Sequence, residues 1–212
     1  MEVLTTAEME RADRLTIAAG TPGFALMLSA GQAVAEAAMD LVESGPIAVI
    51  AGPGNNGGDG FVAAAELAAR GREVSVILLC EREALKGDAA SAARGWKYPV
   101  LPFNPQAIGR PALIIDALFG AGLDRSVRDE PLEMIEAINA NGAPVLAVDL
   151  PSGINGTSGS IMGGGARHRD RDLLSAQTGA SADPGPDLLR TCACRRYRHR
   201  CPGPFGNPAA DI

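Results

Sequence analysis

Aromatic residues are scarce in this chain: five Phe, two Tyr and one Trp make up 4% of its 212 residues. A core with so few rings has to close through small and branched side chains, and a composition of 46% hydrophobic residues with 26 glycines points to closely packed layers. An uninterrupted apolar run of about 18 residues is missing, which excludes a transmembrane helix. Positive charge is short as well. Against 25 Asp and Glu there are 19 Lys and Arg, a formal net charge of −6, where a nucleic-acid-binding face calls for a basic surface. The opening residues, MEVLTTAEMERADRLT, lack both the basic start and the apolar stretch of a secretory signal. Cysteine is sparse and lopsided, with Cys80 alone and Cys192, Cys194 and Cys201 together near the end, so no disulfide framework is expected around the core. The expectation is a cytoplasmic enzyme with no membrane and no nucleic acid among its partners.

What is present is alternation. At 212 residues the chain has room for one α/β domain with a full core. Helical periodicity runs from Thr6 to Ile17 and from Gly23 to Val42. Four short runs rich in β-branched and aliphatic residues follow: Ile47–Ala51, Val74–Leu79, Leu113–Asp116 and Val145–Asp149. Helical patterns over Gly58–Arg70, Arg82–Arg94 and Glu130–Asn141 separate them. Strands that are apolar throughout are buried on both faces, as in a parallel sheet covered by helices. The spacing predicts a Rossmann-like, doubly wound, mainly parallel sheet with helices on both faces.

Ligands of such sheets sit at the carboxyl ends of the strands. Three of those ends carry polar text: Gly52-Pro53-Gly54-Asn55-Asn56-Gly57-Gly58-Asp59-Gly60, then Asp116 to Leu123, then Asp149-Leu150-Pro151-Ser152-Gly153. The first satisfies G-x-G-x-x-G, whose glycines let a phosphate approach a helix N-terminus. Glu81, past the second strand, stands where a ribose-binding acid sits in a dehydrogenase, so an NAD(P)-dependent oxidoreductase is one reading. A tight turn using Gly and Asn for positive φ is another. Asp116 and Asp149 equally suit helix or turn caps, and Ser152 an ordinary turn. Pro53 removes an amide donor, and the side chains of Asn55, Asn56 and Asp59 favour direct ligand contact over a bare phosphate cradle.

The three motifs in this order, preceded by Ala7-Glu8-Met9, Asp13, Leu26-Met27 and Ala30-Gly31, resemble the NAD(P)H-hydrate epimerase family over residues 5–162. The resemblance implies an isomerase that interconverts the R and S forms of hydrated NADH and NADPH (NADHX and NADPHX) in cofactor repair. It implies substrate contacts at Asn55, Asn56, Gly57, Gly58 and Asp59, at Gly120, Ala121, Gly122, Leu123, Asp124, Arg125 and Ser126, and at Asp149. It implies one K+ per subunit, held by Asn56, Asp116 and Ser152, whose amide, carboxylate and hydroxyl oxygens suit a large monovalent cation. A homodimer and a dehydratase as functional partner are implied too. Asp149 is the expected proton donor and acceptor, with its pKa raised in a partly desolvated crevice. One departure is Leu28, where the family usually carries a glutamate.

The chain divides at residue 165. Residues 1–165 hold 11 basic against 20 acidic residues, a net −9, and read as a truncated epimerase domain. Residues 166–212 hold eight arginines against five aspartates, a net +3, with no lysine, both histidines and five prolines. This tail reads as disordered or as translated out of frame, which would leave the sheet incomplete at its C-terminal edge. A synonymous back-translation of Arg190–Cys201, shifted forward by one base, spells Gly-Arg-Val-Arg-Val-Ala-Asp-Ile-Gly-Ile-Asp, close to how the family's domain ends. Its rival is a zinc site from Cys192, Cys194, His199 and Cys201. With an altered tail, a catalytically inactive nucleotide-binding protein is the remaining alternative.

Overall fold

The apolar runs become strands with no exposed face. In the computed structural model, which describes residues 6–163, 173–178 and 192–196, two helices lead, α1 (Thr6–Ala18) and α2 (Gly23–Leu41). Then come β1 (Ile47–Ala51), α3 (Asn55–Ala69), β2 (Val74–Leu78), α4 (Gly87–Gly95) and the two-residue β3 (Leu101–Pro102). The order closes with β4 (Leu113–Ala117), α5 (Asp129–Asn141), β5 (Val145–Val148), β6 (Leu173–Thr178) and β7 (Cys192–Arg196).

The strands line up as β3-β2-β1-β4-β5-β6-β7. All neighbours are parallel except β6 and β7, which pair antiparallel. From β1 the chain steps outward through β2 to β3, then returns to place β4 on the other side of β1. The reversal between β1 and β4 opens a crevice at their carboxyl ends, the usual ligand position in such sheets.

Alternate residues of each strand feed separate cores, as the pleat requires. Ile47, Val49 and Ala51 of β1 and Leu113, Ile115 and Ala117 of β4 pack with Val34 and Ala38 of α2 and Phe61 and Leu67 of α3. Ala48, Ile50 and Ile114 point the other way, against Met134, Ile135 and Ile138 of α5. Each such aliphatic or phenyl side chain contributes about 1.5–3 kcal/mol on burial, so these two layers hold the domain together. Small residues set the spacing. A Cβ on Gly31 would lie 2.4 Å from Val62 Cβ, and one on Gly60 would lie 2.6 Å from Ala117 Cβ.

The structure corrects the sequence reading in three places. Helix α3 begins at Asn55 rather than Gly58, so the polar loop is the helix's first turn. The pattern over 82–94 splits into a 3₁₀ turn at Arg82–Ala84 and α4, because Leu85 and Lys86 are extended and Gly87 is left-handed at φ +57°. The short β3 went unread. Beyond β5, two segments of the atypical tail pair onto the sheet as β6 and β7. The rest of 164–212 lies outside the described residues, and with it His199 and Cys201 of the zinc reading.

Candidate functional site

Each polar motif stands where a buried strand runs out. From β1 the chain passes through Gly52, where a Cβ would lie only 2.0 Å from the Leu118 carbonyl oxygen, so only glycine lets the ends of β1 and β4 meet. At Gly57 a Cβ would lie 1.9 Å from the Gly52 carbonyl oxygen, which fixes the first turn of α3 against its own strand. Gly54 caps this helix without a side-chain hydrogen bond, and the Gly58 N–H is bonded to the Gly54 carbonyl at 3.1 Å. The N–H groups of the first turn thus face the crevice end with the positive pole of the helix dipole.

Asp116, in β4, meets Ser152, just beyond β5. Ser152 Oγ donates to Asp116 Oδ1 at 2.6 Å, and the Ser152 N–H donates to Oδ2 at 2.9 Å. The Leu118 N–H lies 3.3 Å from Oδ1, and the Phe119 N–H donates to Ser152 Oγ at 2.9 Å. Both side chains are buried. Burial pushes the Asp116 carboxyl above the usual aspartate range, and the hydrogen bonds from Ser152 and Leu118 oppose that shift without cancelling it.

Asp149 follows β5 in a left-handed backbone conformation, φ +64°, rare for a residue with a Cβ. Its Oδ2 accepts from the Ala121 N–H at 2.7 Å. A Cβ on Gly120 would stand 2.8 Å from Asp149 Oδ2 and 3.2 Å from Asn56 Oδ1, so the two side chains converge on that glycine. Asn56 Nδ2 is buried with no hydrogen-bond partner among the described residues. Of the other expected contacts, Gly57 and Gly58 are buried, Asp59, Gly120, Ala121 and Leu123 half-buried, and Asn55, Gly122, Asp124, Arg125 and Ser126 exposed.

The geometry thus brings Asp116 to Ser152 and Asn56 to Asp149. Turning the Asn56 amide end for end would place its oxygen where the unpartnered nitrogen lies. One carboxylate, one hydroxyl and one amide oxygen match a monovalent cation in chemistry. Among the described residues no group of three or more His, Cys, Asp and Glu is placed to hold a metal ion. Nor, among them, is any helix long and apolar enough to cross a membrane.

The family model described as YjeF-related protein N-terminus matches residues 23–171. An NAD(P)H-hydrate epimerase from Limosilactobacillus fermentum is 37% identical over 166 residues, 76% of this chain and 80% of that protein. One from Achromobacter xylosoxidans is 38% identical over 164 residues, 75% of this chain and 76% of its own length. The chain belongs to the NAD(P)H-hydrate epimerase family. A family member from Coxiella burnetii, named bifunctional NAD(P)H-hydrate repair enzyme Nnr, is 39% identical over 160 residues, but this chain spans only 33% of it. The crystal structure of yeast ynu0, YNL200c, superposes with a TM-score of 0.65 at 22% identity, covering 95% of this chain and 98% of that one, which establishes the shared fold.

One residue that sequence reasoning missed is Asn155. Its Nδ2 donates to the Leu123 carbonyl at 3.1 Å, tying down the loop read as substrate-contacting. The signal was an Asn-Gly-Thr-Ser run, the composition of a turn closed by an Asn side chain.

Proposed function

We propose that this chain epimerises the R and S forms of NADHX and NADPHX, with no redox change. The observation that carries the reading is Asp149: an acid in a strained backbone, anchored by the Ala121 N–H and converging with Asn56 at the parallel sheet's switch point. Relatives 37–39% identical bear the epimerase or repair-enzyme name, which supports the same assignment.

The substrate carries a hydroxyl on a ring carbon next to the ring nitrogen. Asp149 protonates that oxygen, the C–O bond breaks, water leaves, and the nitrogen lone pair delocalises the positive charge. Water then adds to the other face while the Asp149 carboxylate takes back a proton. Atoms and charge balance, and one carboxyl serves as acid and base. The first turn of α3, with Asn55, Asn56, Gly57, Gly58 and Asp59, contacts the nucleotide through the Asn55, Asn56 and Asp59 side chains, at the positive end of the helix dipole. Gly120 to Ser126 covers the ring side. Asn56, Asp116 and Ser152 are the residues that would hold K+; when bound, it supplies positive charge that compensates the buried Asp116 carboxylate and locks the three turns together. A dehydratase consuming one epimer is the functional partner this chemistry calls for, and a cytoplasmic homodimer is the form the resemblance implies.

The test is direct. Purified protein is incubated with the separated R epimer of NADHX in K+ buffer, and the S epimer is followed by chromatography. Its appearance well above the spontaneous rate is expected. An unchanged R:S ratio from folded protein overturns the reading.

A further inference from the structure

The segment from Phe119 to Val127 is bound to the segment from Asp149 to Met162 by a series of hydrogen bonds. The Phe119 N–H donates to Ser152 Oγ at 2.9 Å, the Ala121 N–H to Asp149 Oδ2 at 2.7 Å, Asn155 Nδ2 to the Leu123 carbonyl at 3.1 Å, and the Val127 N–H to the Met162 carbonyl at 2.7 Å. The first two use side chains already placed in the site. Asn155 is different, because it reaches the loop from a small hairpin and touches none of the reacting groups.

That hairpin is built around Asn155 itself. Ile154 pairs with Ile161 in an antiparallel bridge, the Asn155 N–H donates to the Ser160 carbonyl at 2.9 Å, and the Gly159 N–H donates to the Asn155 carbonyl at 2.9 Å. Asn155 Oδ1 accepts from the Thr157 N–H at 3.1 Å, the Ser158 N–H at 2.8 Å and Ser158 Oγ at 3.0 Å. Two of those donors are backbone N–H groups, so the oxygen end of the amide is fixed and the nitrogen end must face Leu123. Leu123 is half-buried against the second core, while the neighbouring Asp124, Arg125 and Ser126 are exposed. Between Ala121 and Val127, the Leu123 carbonyl is a point at which this hairpin holds the loop.

We propose that Asn155 is a positioning residue for nucleotide binding: by holding the Leu123 carbonyl it sets the course of residues 120–126 over the substrate. The proposal rests on the epimerase reading for its substrate, and on the hydrogen-bond geometry for the loop. The carboxylate of Asn155→Asp keeps the acceptors for Thr157 and Ser158 but has no N–H for Leu123 and repels its carbonyl. Asn155→Ala removes both functions.

The experiment measures kcat and KM for NADHX, the melting temperature, and hydrogen exchange of the amides of 120–126 in wild type and both variants. Asn155→Asp is expected to raise KM about five- to tenfold, the worth of one hydrogen bond, with kcat within about twofold. Its melting temperature stays near wild type, and protection is lost in 120–126. Asn155→Ala is expected to show the same KM effect and a lower melting temperature. Wild-type KM and protection in Asn155→Asp overturn the proposal, as does a parallel fall of kcat and melting temperature in both variants with KM unchanged. A wild-type protein that fails to epimerise NADHX strikes the functional reading instead, and the exchange data then decide alone whether Asn155 holds the loop.

Discussion

Two acids at the strand ends stand in different surroundings. Asp149 accepts from the Ala121 N–H and sits half-buried, whereas Asp116 is buried and takes hydrogen bonds from Ser152 and Leu118. Asp149→Asn keeps an oxygen for the Ala121 N–H but has no proton to exchange, so turnover should fall by about 10²–10⁴-fold while the melting temperature holds. A variant with full turnover would remove Asp149 from the chemistry. For Asp116, the folded state raises the pKa above that of the unfolded chain. The folded protein therefore keeps its proton in the window between the ordinary aspartate range and the raised value, where the unfolded chain has released it. Stability falls as pH rises through that window and levels off above it. Melting curves in K+-free buffer should show this slope, Asp116→Asn should flatten it, and K+ should restore stability on the high-pH side of wild type only. Asn56, Asp116, Asp149 and Ser152 could be picked out as candidates because each lies at or just beyond the end of an apolar run, where a parallel sheet presents its ligands. Asn155 was hidden by its own composition: Asn-Gly-Thr-Ser writes any surface turn, and only the fold shows that this one faces Leu123.

At the level of helices and strands, close approach between small residues decides the geometry. Alanine is about 1 kcal/mol better than glycine inside a helix, so Gly31→Ala would stabilise an isolated α2. In the folded molecule the added methyl would lie 2.4 Å from Val62 Cβ and 2.8 Å from the Asp59 carbonyl oxygen. Crowding wins, and a net loss of about 1–3 kcal/mol is expected. Urea unfolding should show it as a lower midpoint at unchanged slope, and adding Val62→Ala should return part of the loss. Because Asp59 is in the turn read as nucleotide-binding, the same substitution should also weaken nucleotide binding. The four principal strands were legible to within a residue or so, since burial on both faces leaves an unbroken apolar signature. The start of α3 was not. Asn55, Asn56 and Gly57 have no apolar periodicity, and they are helical because the glycines let the turn sit against β1. The edge strand β3 pairs at only Leu101 and Pro102, too short to carry a period.

The whole molecule joins an acidic domain to a basic tail, and the fold bears on what that tail is. Strand β7 occupies Cys192–Arg196. In the synonymous back-translation given above, a shift of one base turns these five residues into Val-Arg-Val-Ala-Asp, an alternation suited to a sheet edge. We propose that the tail arose by a frameshift near residues 163–168. Sequencing the coding DNA should reveal the missing or extra base, and the re-framed chain should melt at a higher temperature than this one. Intact coding in the present frame would refute it. The buried Asn56 nitrogen has a consequence at this scale as well. An amide end shut away from water without a partner makes the ligand-free fold the weaker one, and a bound group that satisfies it, an acceptor for the nitrogen or a cation once the amide is turned, adds stability by mass action. A protein so arranged should resist proteolysis better with its crevice filled than empty, which limited digestion with and without NADHX would show.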